Sequence, residues 1–272
     1  MGIRVKKVML TAVAVSVLTG GAASAADMAV KARPAPVVAV YNWTGFYIGI
    51  NGGYGWNDTQ DVGVTGSNLI TAAQPGTVPF RVPLRPEGGL VGGTVGYNWQ
   101  FGRGVAGIEA DFDWADIKDA RRVDLPLVGP SVRTSASQKI DFFGTVRGRV
   151  GALLTDQFLL FVTGGLAYAN VKSDANVNEF FSAPVLGRQF IASADELRYG
   201  WTVGAGAEWK FASNWSLKGE YLYYDLGGYT IRGNQSNPAN GIDFATYSFS
   251  TRGSIARGGI NYQFGGPIVA KY

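Results

Sequence analysis

The chain has 272 residues, 24 Lys and Arg against 20 Asp and Glu, and a formal charge of +4, with no cysteine and no histidine. Without Cys there is no disulfide bracing and no lipid anchor on a processed N-terminal cysteine; without His the usual general base and the commonest metal ligand are gone. Only 16% of the residues are charged, below the quarter or so typical of soluble domains, while glycine (39) and aromatics (7 Trp, 13 Tyr, 15 Phe) are abundant.

The chain opens with a basic stretch (Arg4, Lys6, Lys7), an apolar run over residues 8–18 and the triplet Ala23-Ser24-Ala25. That is the layout of a secretory signal peptide covering residues 1–25. The apolar run is too short to span a bilayer as a helix. Removing the three basic residues takes the formal charge to near +1, so the basic balance belongs mostly to the precursor and no nucleic-acid partner is expected. Residues 26–42 are rich in Ala, Pro and Val, with Pro34 and Pro36, and read as an extended periplasmic tail.

From residue 43 the pattern has a period of two, the signature of strands. Phe46, Ile48, Ile50, Tyr54 and Trp56 share one face of a first strand, opposite Gly49, Asn51 and Gly53. In the second, Val91, Val95, Tyr97 and Trp99 oppose Gly92, Thr94, Gly96 and Asn98. The third sets Ile108, Ala110, Phe112 and Trp114 against Glu109, Asp111 and Asp113. The fourth sets Ile140, Phe142, Val146 and Val150 against Lys139, Asp141, Thr145, Arg147 and Arg149. A fifth carries Leu160, Val162, Leu166 and Tyr168 on one face. The sixth puts Tyr199, Trp201, Val203 and Trp209 opposite Thr202 and Glu208. The seventh puts Trp215, Leu217, Tyr221 and Tyr223 opposite Lys218 and Glu220. The eighth ends with Ile260, Tyr262 and Phe264 opposite Arg257. No segment reaches 18 consecutive apolar residues, so no helix is expected to cross a membrane.

Connections alternate in length. Those at 100–104, 154–157 and 212–214 are short; those at about 57–88, 118–137, 171–197 and 225–247 are long. Short turns at one end and long loops at the other, on an even number of strands, are the plan of an outer-membrane barrel. The expected fold is all-β: an eight-stranded antiparallel up-and-down transmembrane β-barrel over residues 43–264, with four long extracellular loops, short periplasmic turns and a C-terminal extension at 265–272. The apolar faces end in aromatics, with Phe46, Trp99, Trp209, Trp215, Tyr262 and Phe264 near the periplasmic boundary and Trp56, Trp114 and Tyr223 near the outer one. Such rings suit amphipathic aromatic side chains at a membrane boundary. A soluble β-sandwich shares the alternation but not the two aromatic bands.

In a membrane barrel the apolar face meets lipid and the charges turn inward. The expected interior set is Glu109, Asp111, Asp113, Lys139, Asp141, Arg147, Arg149, Glu208, Lys218, Glu220 and Arg257. Unpaired charge in a narrow interior is costly, and Glu109 and Asp111 lie at the level of Arg147 and Arg149 when counted from the turns. A ladder of ion pairs that largely closes the interior is therefore expected, since side chains fill the inside of eight strands. Gly102–Gly107 matches G-x-G-x-x-G, but a strand follows where a dinucleotide site needs a helix. No metal site and no cofactor is expected; the acids near loops lack a Ca²⁺-loop pattern.

The blocks NWTGFYIGINGGYGW, GWTVGAGAEW, LKGEYLYYDLG and GINYQF resemble the immunogenic, porin-like outer-membrane proteins of alpha-proteobacteria, within the OmpA-like eight-stranded barrel group. The resemblance implies a Gram-negative outer-membrane barrel with immunogenic loops. Its expected partners are outer-membrane lipid, lipopolysaccharide and the barrel assembly machinery, which reads a terminal aromatic, here Phe264 or Tyr272. The expected role is structural and antigenic; the alternative is a small passive channel. Barrel enzymes of the outer membrane resemble Ser/His or Asp/His chemistry, which a chain without His cannot supply. A lipocalin-like carrier needs the reverse polarity, apolar inside.

Overall fold

A computed structural model describes residues 41–66, 81–126, 131–182, 185–236 and 243–265. The expected signal peptide, nearly all of the tail and nearly all of the C-terminal extension lie outside the described residues. Among the described residues there are ten strand segments: β1 (Gly45–Asn57), β2 (Gln60–Gly66), β3 (Arg81–Leu84), β4 (Glu87–Phe101), β5 (Gly104–Pro126), β6 (Ser131–Thr155), β7 (Phe158–Ser182), β8 (Val185–Lys210), β9 (Trp215–Gln235) and β10 (Phe244–Gln263).

These segments make a ring of eight. Each long strand pairs antiparallel with the next, and β1 closes on β10 in a register running from Tyr47↔Gln263 to Asn57↔Gly253. The short β2–β3 hairpin continues the wall upward from β1 and β4, and β2 takes over the edge of β10 at Gly63–Gly66. Closure matters because lipid offers backbone N–H and C=O groups no partners; an open edge would leave a row of them unpaired.

The strands are longer than a bilayer needs. About ten tilted residues suffice, yet β5 to β8 run to between 23 and 26 residues. The long connections expected from the sequence are therefore largely strand, and the wall continues well past the apolar band. The band ends at Trp114 on β5, Phe142 on β6, Tyr168 on β7 and Tyr199 on β8. Below that line large apolar side chains face outward, including Ile48, Ile50, Val95, Ile108, Val146, Val162 and Val203. Above it Val132, Ala136, Ala175, Val177 and Phe190 point inward and form a core with Val62, Val82, Leu84 and Tyr247. The same wall is inside-out in lipid and conventional in water.

Two bulges help make this exchange. On β6 the outward apolar residues of the band, Val150 and Val146, and the inward ones above it, Ile140, Ala136 and Val132, are all even-numbered. An extra residue at Asp141 shifts the register between Ile140 and Phe142, so the even face turns from lipid to core. On β9 the break comes between Asp225 and Gly228, opposite Ser250 and Arg252, where Gly227 adopts φ 79°, a conformation costly for residues with a Cβ.

The height of the apolar band can be tested on one face of β8. Val203→Arg should lower stability by about 2–4 kcal/mol, the cost of a cation on the lipid face near midplane. Ser193→Arg, on the same face but beyond the band, should leave it unchanged. Denaturant unfolding in lipid vesicles measures both; equal losses would mean that the band extends up the strand.

Candidate functional site

The interior charges come from five strands and meet in one layer. The register sets Glu109 opposite Arg147, Glu208 opposite Lys218, and Glu220 opposite Arg257. In the narrow lumen each group also reaches across. Arg147 bonds Glu109, Asp111 (3.0 Å) and Glu220 (2.9 Å). Arg257 holds Asp111 (2.7 Å), Glu220 (2.8 Å) and Asp113. Lys218 spans Glu109 (2.8 Å) and Glu220 (3.2 Å). Arg149 lies 2.8 Å from Glu208 and 3.4 Å from Glu109. None of these charged side chains is more than 4% exposed.

Neutral donors complete the layer. The Tyr47 hydroxyl donates to Glu109 at 2.6 Å and the Thr145 hydroxyl to Asp111 at 2.6 Å. Asn261 donates to Glu208 at 2.9 Å. Tyr47 fits because Gly96 stands beside it: a Cβ there would come within 2.4 Å of the Tyr47 ring. Five carboxylates face four cations in this layer, and Lys210 adds a fifth cation one interior step below Glu208.

Apolar layers lie on both sides. Above, Ile117, Ile140, Phe143, Leu222, Tyr224 and Ile255 fill the lumen. Below, Trp43, Val105, Leu153, Leu159 and Phe161 form a floor. Trp43 is tied in by its backbone N–H to Gln100 (2.8 Å) and by its indole N–H to the Asp156 carbonyl (3.0 Å), with the Lys210 ammonium 4.7 Å over its ring. Higher still, Gln138 donates to Tyr229 and Thr251, each at 3.1 Å, in a polar belt beneath the upper core.

The structure places Glu109, Asp111, Asp113, Arg147, Arg149, Glu208, Lys218, Glu220 and Arg257 together inside the barrel. Lys139 and Asp141 are a correction. Both stand on the outer wall above the apolar band, because the bulge at Asp141 reverses the faces of β6 there; Ile140 turns into the core by the same reversal. Hydrogen bonding and attraction from Asp141 raise the Lys172 ammonium above its ordinary value in this outer group. The aromatics lie outside the wall, often ring against ring: Phe46 with Phe264 (5.6 Å between centroids), Trp215 with Tyr262 (5.0 Å), Trp56 with Tyr221 (6.2 Å) and Trp201 with Tyr223 (5.7 Å). Trp99, Trp114 and Trp209 are also exposed there. Tyr47, Trp43 and Lys210 were absent from the sequence-based set. Tyr47 was legible: it alternates with the lipid-facing Phe46 and Ile48, so it had to point inward.

A closed antiparallel ring, apolar outside and charged inside, is a transmembrane β-barrel. A family model described as outer membrane protein beta-barrel domain matches residues 13–264, and the chain belongs to that family. It is similar to the 31 kDa outer-membrane immunogenic protein of Brucella melitensis, with 35% identity over 274 residues, 95% of this chain and all of the relative. It is 31% identical over 196 residues to the 22 kDa outer membrane protein of Rhizobium leguminosarum bv. viciae, covering 71% of this chain and 69% of that one. Among solved structures, OprG from Pseudomonas aeruginosa aligns at 11% identity and a TM-score of 0.42, over 84% of this chain and 99% of that one. The protein resides in the Gram-negative outer membrane.

The charge layer predicts a pattern of stability. Arg147→Met strands carboxylates that share its guanidinium, and should cost about 3–5 kcal/mol. Adding Glu109→Gln and Glu220→Gln should recover part of that loss, because fewer buried charges then lack a partner. Unfolding of the three forms in vesicles measures this; an additive, larger loss in the triple variant would show that the layer is not held by charge balance.

Proposed function

We propose that this protein is a closed, structural barrel of the outer membrane that displays an extended extracellular wall as a surface antigen. The observation that carries the reading is the sequence of blocked levels in the lumen: the floor around Trp43, the buried ion-pair layer, and the apolar layer of Phe143, Leu222 and Tyr224 above it. Side chains fill an eight-stranded interior, and a continuous water path has to cross all three. The antigenic part rests on the names of the relatives, outer-membrane immunogenic proteins of Brucella. The role is non-catalytic in this reading: the chain has no His and no Cys, and the interior carboxylates are each engaged by cations rather than poised beside a nucleophile.

Planar-bilayer recording of the purified protein tests this. The wild type should show no stable open steps. Arg147→Ala with Arg149→Ala should remain closed, because the apolar layer above is untouched. Sustained conductance in the wild type would replace the closed barrel with a small porin-like channel.

A further inference from the structure

The floor beneath the charge layer is completed by a residue that belongs to no strand. Trp43 precedes β1, yet it is only 1% exposed and fills the periplasmic mouth against Val105, Leu153, Leu159 and Phe161. Its short segment, Asn42 to Thr44, takes no part in a ladder; β1 first meets β4 at Gly45↔Asn98. Single bonds hold the segment instead. The backbone and indole N–H groups of Trp43 go to Gln100 and Asp156. Thr44 accepts the Gln100 N–H on its hydroxyl (2.9 Å) and the Gln263 amide on its carbonyl (2.8 Å). These partners lie at strand ends and in a turn, where water can replace the segment when it leaves.

The junction with β1 is a glycine in a conformation that side chains resist. Gly45 has φ 145°, and a Cβ there would lie 2.9 Å from the Phe264 carbonyl oxygen. Glycine has the widest choice of backbone angles, so the segment can swing at this one residue without disturbing the β1 ladder.

Lys210 supplies a force that favours opening. Its buried ammonium donates to the Asn42 carbonyl at 2.6 Å and to the Gln263 side-chain oxygen, with the Trp43 ring 4.7 Å away. Glu208, one interior step above, is already engaged by Arg149, Ser216 and Asn261. Arg147, Arg149, Lys218 and Arg257 each form ion pairs; among the described residues Lys210 forms none. A buried cation without a carboxylate is costly. Two of the groups that hold it, the Asn42 carbonyl and the Trp43 ring, belong to the segment itself. Burial of the indole favours closure, and hydration of Lys210 favours opening.

We propose that Asn42–Thr44 is a lid, hinged at Gly45, which opens to the periplasm while the barrel stays folded and admits water as far as the Arg149–Glu208 pair. Openings of this local kind lie below global unfolding in free energy. The vestibule so formed is one-sided. The layer of Phe143, Leu222 and Tyr224 still blocks the lumen above the charges, so the lid goes beyond the closed-barrel reading and does not contradict it.

The test uses the full mature protein in lipid vesicles and a small charged thiol reagent on the periplasmic side; no native cysteine interferes. Val105→Cys puts a thiol in the floor, and Thr145→Cys puts one in the charge layer. In the folded barrel Val105→Cys should react at least about tenfold faster than Thr145→Cys, which waits for unfolding. Lys210→Met replaces the buried charge with an apolar side chain of similar length and should slow the reaction of Val105→Cys about tenfold. Adding Trp43→Ala should make Val105→Cys react fast with or without Lys210→Met. Where Val105→Cys fails to fold, Leu153→Cys in the same floor gives the same readout. Equal labelling of the floor and the charge layer overturns the proposal, because the floor then moves only with the whole barrel. So does faster labelling on Lys210→Met, which would make Lys210 a tie that holds the segment shut. A floor that never opens leaves the closed barrel standing, since conductance decides that reading.

Discussion

The backbone's need for hydrogen bonds in a medium without water governs this molecule. Lipid cannot solvate an open sheet edge, so the first and last long strands must meet. Closing at eight positions fixes a narrow lumen. That narrowness in turn dictates the interior chemistry: the odd-numbered residues of β5 and the lower part of β6 have nowhere to point but inward, and their charges must find each other. Arg147 and Arg257 each bridge several carboxylates because, at this diameter, side chains from opposite walls touch. The ion-pair layer is a consequence of closure. Since an apolar filling of the same volume can be as stable or more so, its value lies in matching the strands to one another at a single height.

The second organising feature is the reversal of polarity along the wall. Below the aromatic boundary the barrel is solvated by lipid, and above it by water. A strand that kept the same face apolar throughout would be wrong in one medium. β6 and β9 solve this with an extra residue, so an unbroken alternation carries its apolar side chains from outside to inside. β7 carries no extra residue: its odd-numbered face points inward both low, at Leu159 and Phe161, and high, at Val171, Ala175 and Val177, while its outward even-numbered face changes from Leu160, Val162, Leu166 and Tyr168 to Lys172 and Asp174. The upper wall is then a water-soluble barrel with a conventional core, seated on a membrane barrel whose interior is ionic.

The period of two, the alternation of short and long connections and the paired aromatic bands were enough to read the closed fold and its place in a membrane. They also placed the charges of β5, β8, β9 and β10, because those stretches alternate cleanly between lipid and lumen. What failed was local. The bulge at Asp141 leaves no gap in the alternation, so Lys139 and Asp141 looked identical in phase to Arg147 and Arg149 while facing the other way. The upper strands were read as loops because Ser, Asn and Asp are frequent on their outer face, which is what a wall in water requires. The apolar layers went unseen because Phe143, Leu222 and Tyr224 sit on faces already assigned to polar residues, where single large side chains do not disturb the period. Trp43 lay at the boundary of the Ala/Pro-rich tail, and only the three-dimensional closure of the floor gives it a role.

The central claim is that the lumen is sealed by side chains packed on both sides of a balanced charge layer. Because the chain has no native cysteine, a single introduced thiol reports on it without background. Thr145, fully buried beside Asp111, is the position of choice. In the folded barrel, Thr145→Cys should resist a small charged thiol reagent added from either side of the membrane and react only after unfolding. Prompt labelling of the folded protein would mean that water and solutes reach the charge layer, and would contradict the sealed interior.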